Sequence, residues 1–380
     1  MQTLLRGLDA LLVTNPTNIR YCTGFTGASP DERESFLIIL KDKAFLFVNS
    51  LYGEQAKDRQ WLHGYMVSWL KDKTVFHTST FSREDPFTTL LGKLCAKERV
   101  KRLGYEETNL TVAEFGRFKK RLDALHLLPT DNRVEKLRMI KREDELLAIR
   151  KAAALTDQCF DHILLKLTPG VDEREIAWEI ESFFHKKSAT AAFSPIVAFG
   201  KNTSQPHYTT GSSARGGLAG NLALQGLPLR SQDIVLLDFG ARVNSYCADM
   251  TRVVFIGKPK SEWRRAYETV LTAQSKALAY LQRTPNPSGR MADRIARSFI
   301  KNQGFPPYPH SLGHAVGLAI HEKPRLTVRK DANLLPGMVV TVEPGIYKEG
   351  SYGIRIEDLI CLKKTGIEII SRSQKELTIL

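Results

Sequence analysis

Residues 233–255, DIVLLDFGARVNSYCADMTRVVF, contain two apolar runs on either side of a short polar turn. This pattern predicts a β-hairpin, and we place Val243 and Asn244 at its centre. Counting outward from a two-residue turn pairs Asp238 with Asp249, with Cβ atoms roughly 5 Å apart on one face. Directly opposed like charges destabilise a sheet, so the hairpin predicts a metal ion between them. The alternative is that the two aspartates are not metal ligands, and that one lies on the surface and the other in a turn.

A second pair of acidic residues follows the same logic. Residues 338–343, MVVTVE, predict a strand that ends at Glu343. Residues 353–360, GIRIEDLI, alternate in polarity, which places Arg355 and Glu357 on one face of a strand. Glu357 can therefore reach the interior as a further metal ligand. A buried glutamate paired only with Arg355 is the alternative.

The chain is long enough for two domains, since it has 380 residues of which 42% are hydrophobic and 25% charged. Residues 1–132 predict an α/β domain, and residues 133–380 predict an α+β domain in which helices precede a strand-rich part. The apolar runs are too short to span a membrane. Helical patterns cover 86–98, 111–124, 143–167, 172–187, 262–282 and 288–302.

The net charge of +14 is unusual for an enzyme that acts on small peptides. Basic residues cluster at 97–102, 117–123, 133–144 and 257–265. Such clusters bind nucleic acid in some proteins, but here they lack an aromatic stacking platform or a recognition-helix motif. We interpret them as solvated helix faces and do not expect nucleic acid as a partner.

Cysteine usage and the N-terminal sequence predict a cytoplasmic protein. The five cysteines are scattered and odd in number, which is typical of reduced thiols. The segment MQTLLRGLDALLVTNP lacks the apolar core and cleavage site of a secretory signal.

The Gly-, Ser- and Ala-rich stretch from Gly211 to Gln232 predicts an exposed, mobile loop before the hairpin. A lid over the site and a tolerated surface insertion explain it equally well.

The nine histidines fall into two groups. Those in amphipathic or polar contexts without partners are interpreted as structural: His63, His77, His126, His162 and His185. The others lie in SQPHYTTG and HSLGHAVGLAIHE: His207, His310, His314 and His321. Glycines interrupt the second segment, so spacing alone does not decide which histidine binds metal.

Together, LLDFG, an aspartate eleven residues later, HSLGHAVGLAIHE, VEPGIY and GIRIED resemble the metallopeptidases of the pita-bread fold. The N-terminal segment NPTNIRYCTGF resembles the Xaa-Pro peptidases of that family, prolidase and aminopeptidase P. The resemblance implies a pita-bread (creatinase/aminopeptidase-like) catalytic domain after a smaller creatinase-N-like α/β domain. It covers nearly the whole chain.

The resemblance also implies roles for individual residues. The expected ligands of two metal ions are Asp238, Asp249, His314, Glu343 and Glu357. Asp249 and Glu357 match the bridging ligands, and Glu343 matches the general base.

Further matches concern the substrate. His207 and His321 match histidines that steady the substrate and the tetrahedral intermediate, and Arg355 matches an arginine beside the metals. His310 matches another active-site histidine of Xaa-Pro enzymes. Arg325 resembles a prolidase residue that binds the terminal carboxylate, although a surface arginine explains it equally well.

The expected function is hydrolysis of the peptide bond before proline, in short peptides, by a homodimer. The oxygen-rich ligand set favours Mn²⁺ over Co²⁺, Zn²⁺ or Fe²⁺. Arg325 favours a dipeptidase, whereas the adjacent His207 and Tyr208 favour an aminopeptidase. A non-catalytic peptide- or nucleic-acid-binding protein of the same fold is the alternative.

Overall fold

A computed structural model describes residues 3–27, 32–58, 75–210, 226–330 and 332–380. The chain divides into two compact units, Met1–Arg138 and Met139–Leu380. The sequence predicted a boundary after residue 132. The helix Arg133–Arg138 belongs to the first unit because Arg133 donates to the carbonyl of Leu4 and Arg138 donates to Asn18.

The N-terminal unit is built on one six-stranded mixed sheet, ordered β4-β3-β2-β1-β5-β6. Its strands are β1 Ala10–Val13, β2 Ser35–Ile39, β3 Lys43–Asn49, β4 Val75–Phe81, β5 Arg102–Tyr105 and β6 His126–Pro129. Its helices are α1 Pro16–Thr23, α2 Gly53–Lys57, α3 Phe87–Lys97, α4 Val112–Arg121 and α5 Arg133–Arg138. Aromatic rings from its strands and helices pack in its core, where the ring centroids of Phe36 and Phe87 lie 3.6 Å apart.

In its described residues, the C-terminal unit contains four α-helices and several small sheets. Its helices are α6 Glu143–Leu164, α7 Glu173–Lys186, α8 Ser261–Arg283 and α9 Gly289–Asn302. Its first strands are β7 Thr190–Ala191, β8 Ile196–Phe199, β9 Ile234–Phe239, β10 Ala241–Val243, β11 Tyr246–Cys247 and β12 Met250–Phe255. The later strands are β13 Gly313–Ala315, β14 Glu322–Leu326, β15 Val339–Val342, β16 Gly345–Lys348, β17 Tyr352–Arg355, β18 Asp358–Leu362, β19 Ile367–Ile369 and β20 Thr378–Ile379.

Two sheets of this unit carry or adjoin the predicted metal ligands. One has the order β20-β12-β9-β8 and the other β14-β13-β15-β18-β19. The residues of β9 alternate between two cores: Ile234 and Leu236 pack with α8 and α9, whereas Val235 and Leu237 pack with α6 and α7. The central strands are therefore apolar on both faces, and a carboxylate there is an exception.

The predicted helices and the hairpin form, but the hairpin register differs from the prediction. The turn residues are Asn244 and Ser245, both with positive φ, 48° and 76°. A β-branched residue such as Val243 disfavours that conformation, so the turn lies one residue further along the chain. Asp238 consequently pairs with Thr251, and not with Asp249. The expected direct opposition is wrong, although the shift of two residues leaves both aspartates on one face.

The predicted strand over residues 353–360 is also interrupted. Arg355 ends β17, which pairs with β16, and Asp358 begins β18, which pairs with β15. Between them the amide of Glu357 donates to the carbonyl of Thr251. The chain thus passes from one sheet to another at Ile356 and Glu357.

Within the described residues, no helix has the length and apolarity needed to cross a membrane.

A buried ion pair joins the two sheets. Arg252 is 1% exposed, and its guanidinium donates to Asp358 at 2.8 Å and to the carbonyl of Ser373 at 2.9 Å. Lys375 Nζ lies 2.5 Å from the other carboxylate oxygen of Asp358. Both members of the pair are therefore hydrogen-bonded as well as charge-compensated.

We predict that Arg252→Leu lowers the free energy of unfolding by about 3–5 kcal/mol, because it leaves Asp358 buried with only one cation. Urea unfolding measures the change. Arg264→Leu is the matched control, since Arg264 is half-exposed and 3.9 Å from Glu268. The control should change the free energy by less than about 0.5 kcal/mol. Equal, small effects of the two substitutions would contradict this account.

Candidate metal centre

Three of the sequence-predicted ligands meet in the interior of the C-terminal unit. Ligand atoms of Asp249, His314 and Glu357 all lie within 4.8 Å of one another, and all three residues are buried. They come from three places: the residue before β12, the middle of β13, and the crossing between β17 and β18. The sheets bring these distant stretches together, and strands hold ligands rigidly.

Glu343, directly after β15, lies beside this group. Its Oε1 is 3.4 Å from His314 Nε2, and Thr341 donates to the same oxygen at 3.1 Å. The backbone N–H of His314 in turn donates to Thr341 at 3.0 Å. A glycine before His314 is required here, because a Cβ on Gly313 would lie 1.9 Å from the carbonyl oxygen of Thr341.

The hydrogen-bonding geometry of His314 suits a metal ligand. Its Nδ1 lies 3.2 Å from the carbonyl oxygen of Ala315, and since a carbonyl only accepts, Nδ1 carries the ring proton. Nε2 therefore presents a lone pair to Glu343 Oε1 and to Asp249 Oδ2, at 3.4 and 3.5 Å. Burial, then the nearby His321, lowers the pKa of His314 to about 3, so a second ring proton does not bridge these acceptors. A metal ion satisfies all three atoms.

Asp238 completes the acidic group in a different manner. Its Oδ2 accepts a hydrogen bond from Arg355 at 2.5 Å. Its Oδ1 is buried and has no hydrogen-bond partner among the described residues. An unpaired buried carboxylate oxygen is costly, and a cation is the partner that fits this position.

Burial, and then mutual repulsion, raises the pKa values of Asp249, Glu343 and Glu357. Burial, followed by the charge of Asp238, raises the pKa of Glu357 to about 8. Burial and then Glu357 raise the pKa of both Asp249 and Glu343 well above their ordinary values. Arg355 opposes these shifts with one positive charge. The donor set thus holds more negative charge than the protein alone compensates, as expected of a site for divalent cations.

All of the active-site residues predicted from the sequence line one pocket. Its members are His207, Asp238, Asp249, His310, His314, His321, Arg325, Glu343, Arg355 and Glu357. Phe193, Ile196 and Ile320 form an apolar part of its wall. His321 lies edge-on to His314, with ring centroids 4.5 Å apart. The pocket brings the residues together, and their individual roles remain predictions.

Sequence reasoning missed two residues that organise Arg355. Thr251 accepts a hydrogen bond from Arg355 Nε at 2.9 Å and donates to Glu357 at 2.7 Å. The hydroxyl of Tyr347 accepts from Arg355 Nη1 at 2.9 Å and lies 3.0 Å from His310 Nε2. Both lie in segments already singled out, and alternation from Asp249 would have placed Thr251 on the same face.

Other predictions lie away from the pocket or outside the described residues. His77, His126, His162 and His185 do not line it, and His162 instead pairs with Glu179. His63 and residues 211–225 of the predicted loop lie outside the described residues. The end of that stretch is packed, because Leu229 is buried and exchanges backbone hydrogen bonds with 170–171.

Comparison with known proteins assigns the class. Residues 148–364 match metallopeptidase family M24, and residues 5–140 match the creatinase/prolidase N-terminal domain. The chain belongs to metallopeptidase family M24, whose members use divalent metal ions. The two-domain creatinase-like architecture predicted from sequence is confirmed.

Individual relatives resemble the chain over nearly its whole length. An uncharacterized peptidase of Bacillus subtilis (strain 168), YqhT, is 35% identical over 376 residues, 98% of this chain and 96% of that protein. The solved structure of an Xaa-Pro dipeptidase from Bacillus anthracis has a TM-score of 0.84 at 33% identity, covering 100% of this chain and 98% of that one. An X-Pro aminopeptidase from Thermotoga maritima MSB8 has a TM-score of 0.81 at 30% identity, with 98% of each chain covered.

We predict that the metal-free protein becomes less stable as the pH rises from 7 to 8. A carboxyl with a raised pKa, such as Glu357 at about 8, holds a proton in the folded state that the unfolded state has released. The free energy of unfolding then falls by up to about 1.4 kcal/mol per pH unit for each such group. The depressed pKa values of His310 and His314 act oppositely, but only below about pH 6.5.

Urea unfolding in EDTA across this pH range measures the effect, and Glu357→Gln should reduce the slope. Mn²⁺ at about 100 times its Kd should raise the free energy of unfolding by about 2.7 kcal/mol. A free energy in EDTA that stays constant or rises between pH 7 and 8 would contradict the predicted repulsion.

Proposed function

We propose that this chain is a dinuclear-metal-dependent peptidase that hydrolyses the peptide bond before proline. The observation that carries the proposal is the convergence of ligand atoms of Asp249, His314 and Glu357 within 4.8 Å of one another in the interior. Membership of a metallopeptidase family supports the reaction class. The likeness to an Xaa-Pro dipeptidase and an X-Pro aminopeptidase supports the choice of peptide bond.

The residues that would hold the two ions are Asp238, Asp249, His314, Glu343 and Glu357. Four carboxylates and one imidazole form an oxygen-rich set that suits Mn²⁺, with Co²⁺, Zn²⁺ and Fe²⁺ as alternatives. Asp249 and Glu357, which match the family's bridging ligands, would hold the ions together with His314, since ligand atoms of the three residues lie within 4.8 Å of one another. When bound, the ions supply Lewis acidity that lowers the pKa of a water molecule and polarises the scissile carbonyl.

Glu343 is the proposed general base. Thr341 donates to its Oε1, which fixes the carboxylate, and Oε2 faces His310 Nδ1 at 3.9 Å. Glu343 accepts a proton from the attacking water and passes it to the leaving proline nitrogen. Glu343 is also a proposed metal ligand. The same carboxylate would therefore help to hold an ion and accept the proton next to it.

Three further side chains stabilise negative charge on the substrate carbonyl oxygen. His207, His321 and Arg355 line the pocket with the acidic group. Burial and then Arg325 lower the pKa of His321, so its ring is neutral and donates one hydrogen bond. Arg355 stays charged, because Tyr347 and the nearby carboxylates raise its pKa despite its burial. Fixed donors aimed at the developing charge are effective in stabilising an oxyanion.

An Xaa-Pro bond calls for such a dedicated site, because it is a tertiary amide without an N–H. Between the two peptidase types, we propose the dipeptidase. Arg325 lines the pocket, where its positive charge helps lower the pKa values of His314 and His321. Tyr208, which favoured an aminopeptidase, is instead 3% exposed and bonded to Glu173 and Asn202.

The cellular context completes the proposal. All five cysteines are buried thiols, which supports the cytoplasm as the location. We also propose a homodimer, as the family resemblance implies, and light scattering of the purified protein measures its mass directly.

We predict that the purified, Mn²⁺-loaded protein cleaves Gly-Pro and that Glu343→Gln lowers kcat by about 10²- to 10⁴-fold, because the amide does not accept the proton. Proline release measures the rate, and Gly-Ala is the control substrate. Glu349→Gln, on an exposed residue, is the control variant. Full Gly-Pro hydrolysis by Glu343→Gln, or by protein stripped of metal, would exclude the mechanism.

We predict that Arg325→Ala raises KM for Gly-Pro by about 10- to 100-fold, because it removes a charge-assisted hydrogen bond to the substrate carboxylate. A longer peptide, Gly-Pro-Ala, places its carboxylate elsewhere and should be affected less than about threefold. Arg329→Ala is the matched control, since Arg329 is exposed and does not line the pocket. Equal losses on the two peptides would contradict the proposed role of Arg325.

A further inference from the structure

Asp293, in the first half of α9, is a buried carboxylate outside the pocket. It is 0% exposed, and donors from three different segments meet at its two oxygens. Arg297 Nη2 lies 3.1 Å and the hydroxyl of Tyr308 lies 2.7 Å from Oδ1. The backbone N–H of Val328 donates to Oδ2 at 2.9 Å. A charge at this depth is tolerated because each oxygen is hydrogen-bonded.

The first segment tied to Asp293 leads to His310. Arg297, held by Asp293, donates to the carbonyl oxygens of Tyr308 at 2.6 Å and of His310 at 2.8 Å. Its guanidinium also lies 4.1 Å from the centre of the Tyr308 ring. Two backbone carbonyls and one side-chain hydroxyl of residues 308–310 are therefore fixed by the Asp293–Arg297 pair.

The second segment leads to Arg325. Val328 follows β14, which carries Arg325 at its penultimate position. A hydrogen bond from Val328 to Asp293 fixes the end of this strand. The start of α9 packs at the same place, since a Cβ on Gly289 would lie 3.3 Å from Leu326 Cα. One carboxylate thus restrains both segments that bring His310 and Arg325 to the pocket.

His310 is in turn connected to the acidic group. Its Nδ1 lies 2.8 Å from the carbonyl oxygen of Ser311, so Nδ1 donates and Nε2 accepts from the hydroxyl of Tyr347 at 3.0 Å. The Tyr347 oxygen accepts from Arg355, which donates to Asp238. Displacement of His310 therefore removes the partner that orients Tyr347 and, through it, the guanidinium beside the metal ligands.

We infer that Asp293 is a positioning residue for this site: it holds the segments of His310 and Arg325 in register with the metal ligands. The inference rests on the proposed function for its effect on catalysis. Asp293 does not itself line the pocket, so it acts through Arg297, Tyr308 and Val328. Four of the five proposed metal ligands come from other segments, and His314, which pairs with Arg325, is also fixed by its hydrogen bond to Thr341.

Asp293→Asn tests the inference. The amide keeps the shape and one acceptor oxygen, but it removes the charge opposite Arg297 and one of the two acceptors. We expect kcat/KM for Gly-Pro to fall by about 10- to 100-fold with metal content unchanged. Tyr308→Phe removes a single donor to Asp293 and should lower kcat/KM by about 3- to 10-fold, and it decides the question if Asp293→Asn does not fold. A value of kcat/KM within twofold of wild type in a folded Asp293→Asn protein, or in Tyr308→Phe if only that variant folds, would overturn the inference.

Asp157→Asn is the matched control for a merely structural role. Asp157 also receives several donors, from the backbone of Arg372 and Ser373 and the hydroxyl of Ser373, but these residues do not line the pocket. The control should lose stability and keep its kcat/KM per folded molecule. If Asp157→Asn loses kcat/KM as strongly as Asp293→Asn, the effect of Asp293 is general destabilisation and the inference fails.

Hydrogen–deuterium exchange separates this inference from the proposed function. Asp293→Asn should increase exchange in peptides covering 308–312 and 325–328, and Asp157→Asn should increase it in 371–373. This readout needs no substrate, so it holds even if the wild-type protein cleaves no Xaa-Pro peptide and the proposed function fails. Unchanged exchange in both segments of folded Asp293→Asn would show that Asp293 does not hold them.

Discussion

Repulsion among buried carboxylates is the constraint on which the C-terminal unit depends. Asp238, Asp249, Glu343 and Glu357 are placed in a low-dielectric interior with one guanidinium between them, that of Arg355. The raised pKa values of three of these groups express the cost of that placement. Sheet packing must hold them together against this force, and bound cations convert the repulsion into attraction.

Strand ends and sheet crossings solve the geometric part of the problem. Glu343 directly follows one strand, and Glu357 lies where the chain passes from one sheet to another. The central strands of this unit are mostly apolar on both faces, so they have little room for charge. The fold places Asp249, Glu343 and Glu357 where ladders begin, end or change partner, Asp238 is the exception within β9, and the buried pair of Arg252 and Asp358 joins the sheets beside them.

The period of two was enough to predict that Asp238 and Asp249 share a face, but it did not fix their register. A register shift of two residues keeps every side chain on the same face of the sheet, so hydrophobic alternation does not distinguish the two registers. The turn decided it instead, through the preference of Asn244 over Val243 for positive φ. The positions of Thr251 and Tyr347 depend on which strands adjoin, and local sequence carries no such information. The ligand types came from motifs, whereas their convergence required the topology.

The surroundings of each carboxylate explain why we propose some as metal ligands and assign others to the support of the fold. Glu173 receives donors from Phe199, Asn202, Tyr208 and Leu227, and Asp293 is similarly surrounded. These groups have a full set of N–H and O–H partners and leave little capacity for a cation. One buried oxygen of Asp238 has no partner in the described part of the chain, and Asp249 and Glu343 face the lone pair of an imidazole. The number of protein donors that reach a carboxylate therefore separates its two uses: satisfied groups fix the backbone around the pocket, and unsatisfied groups are left for metal ions.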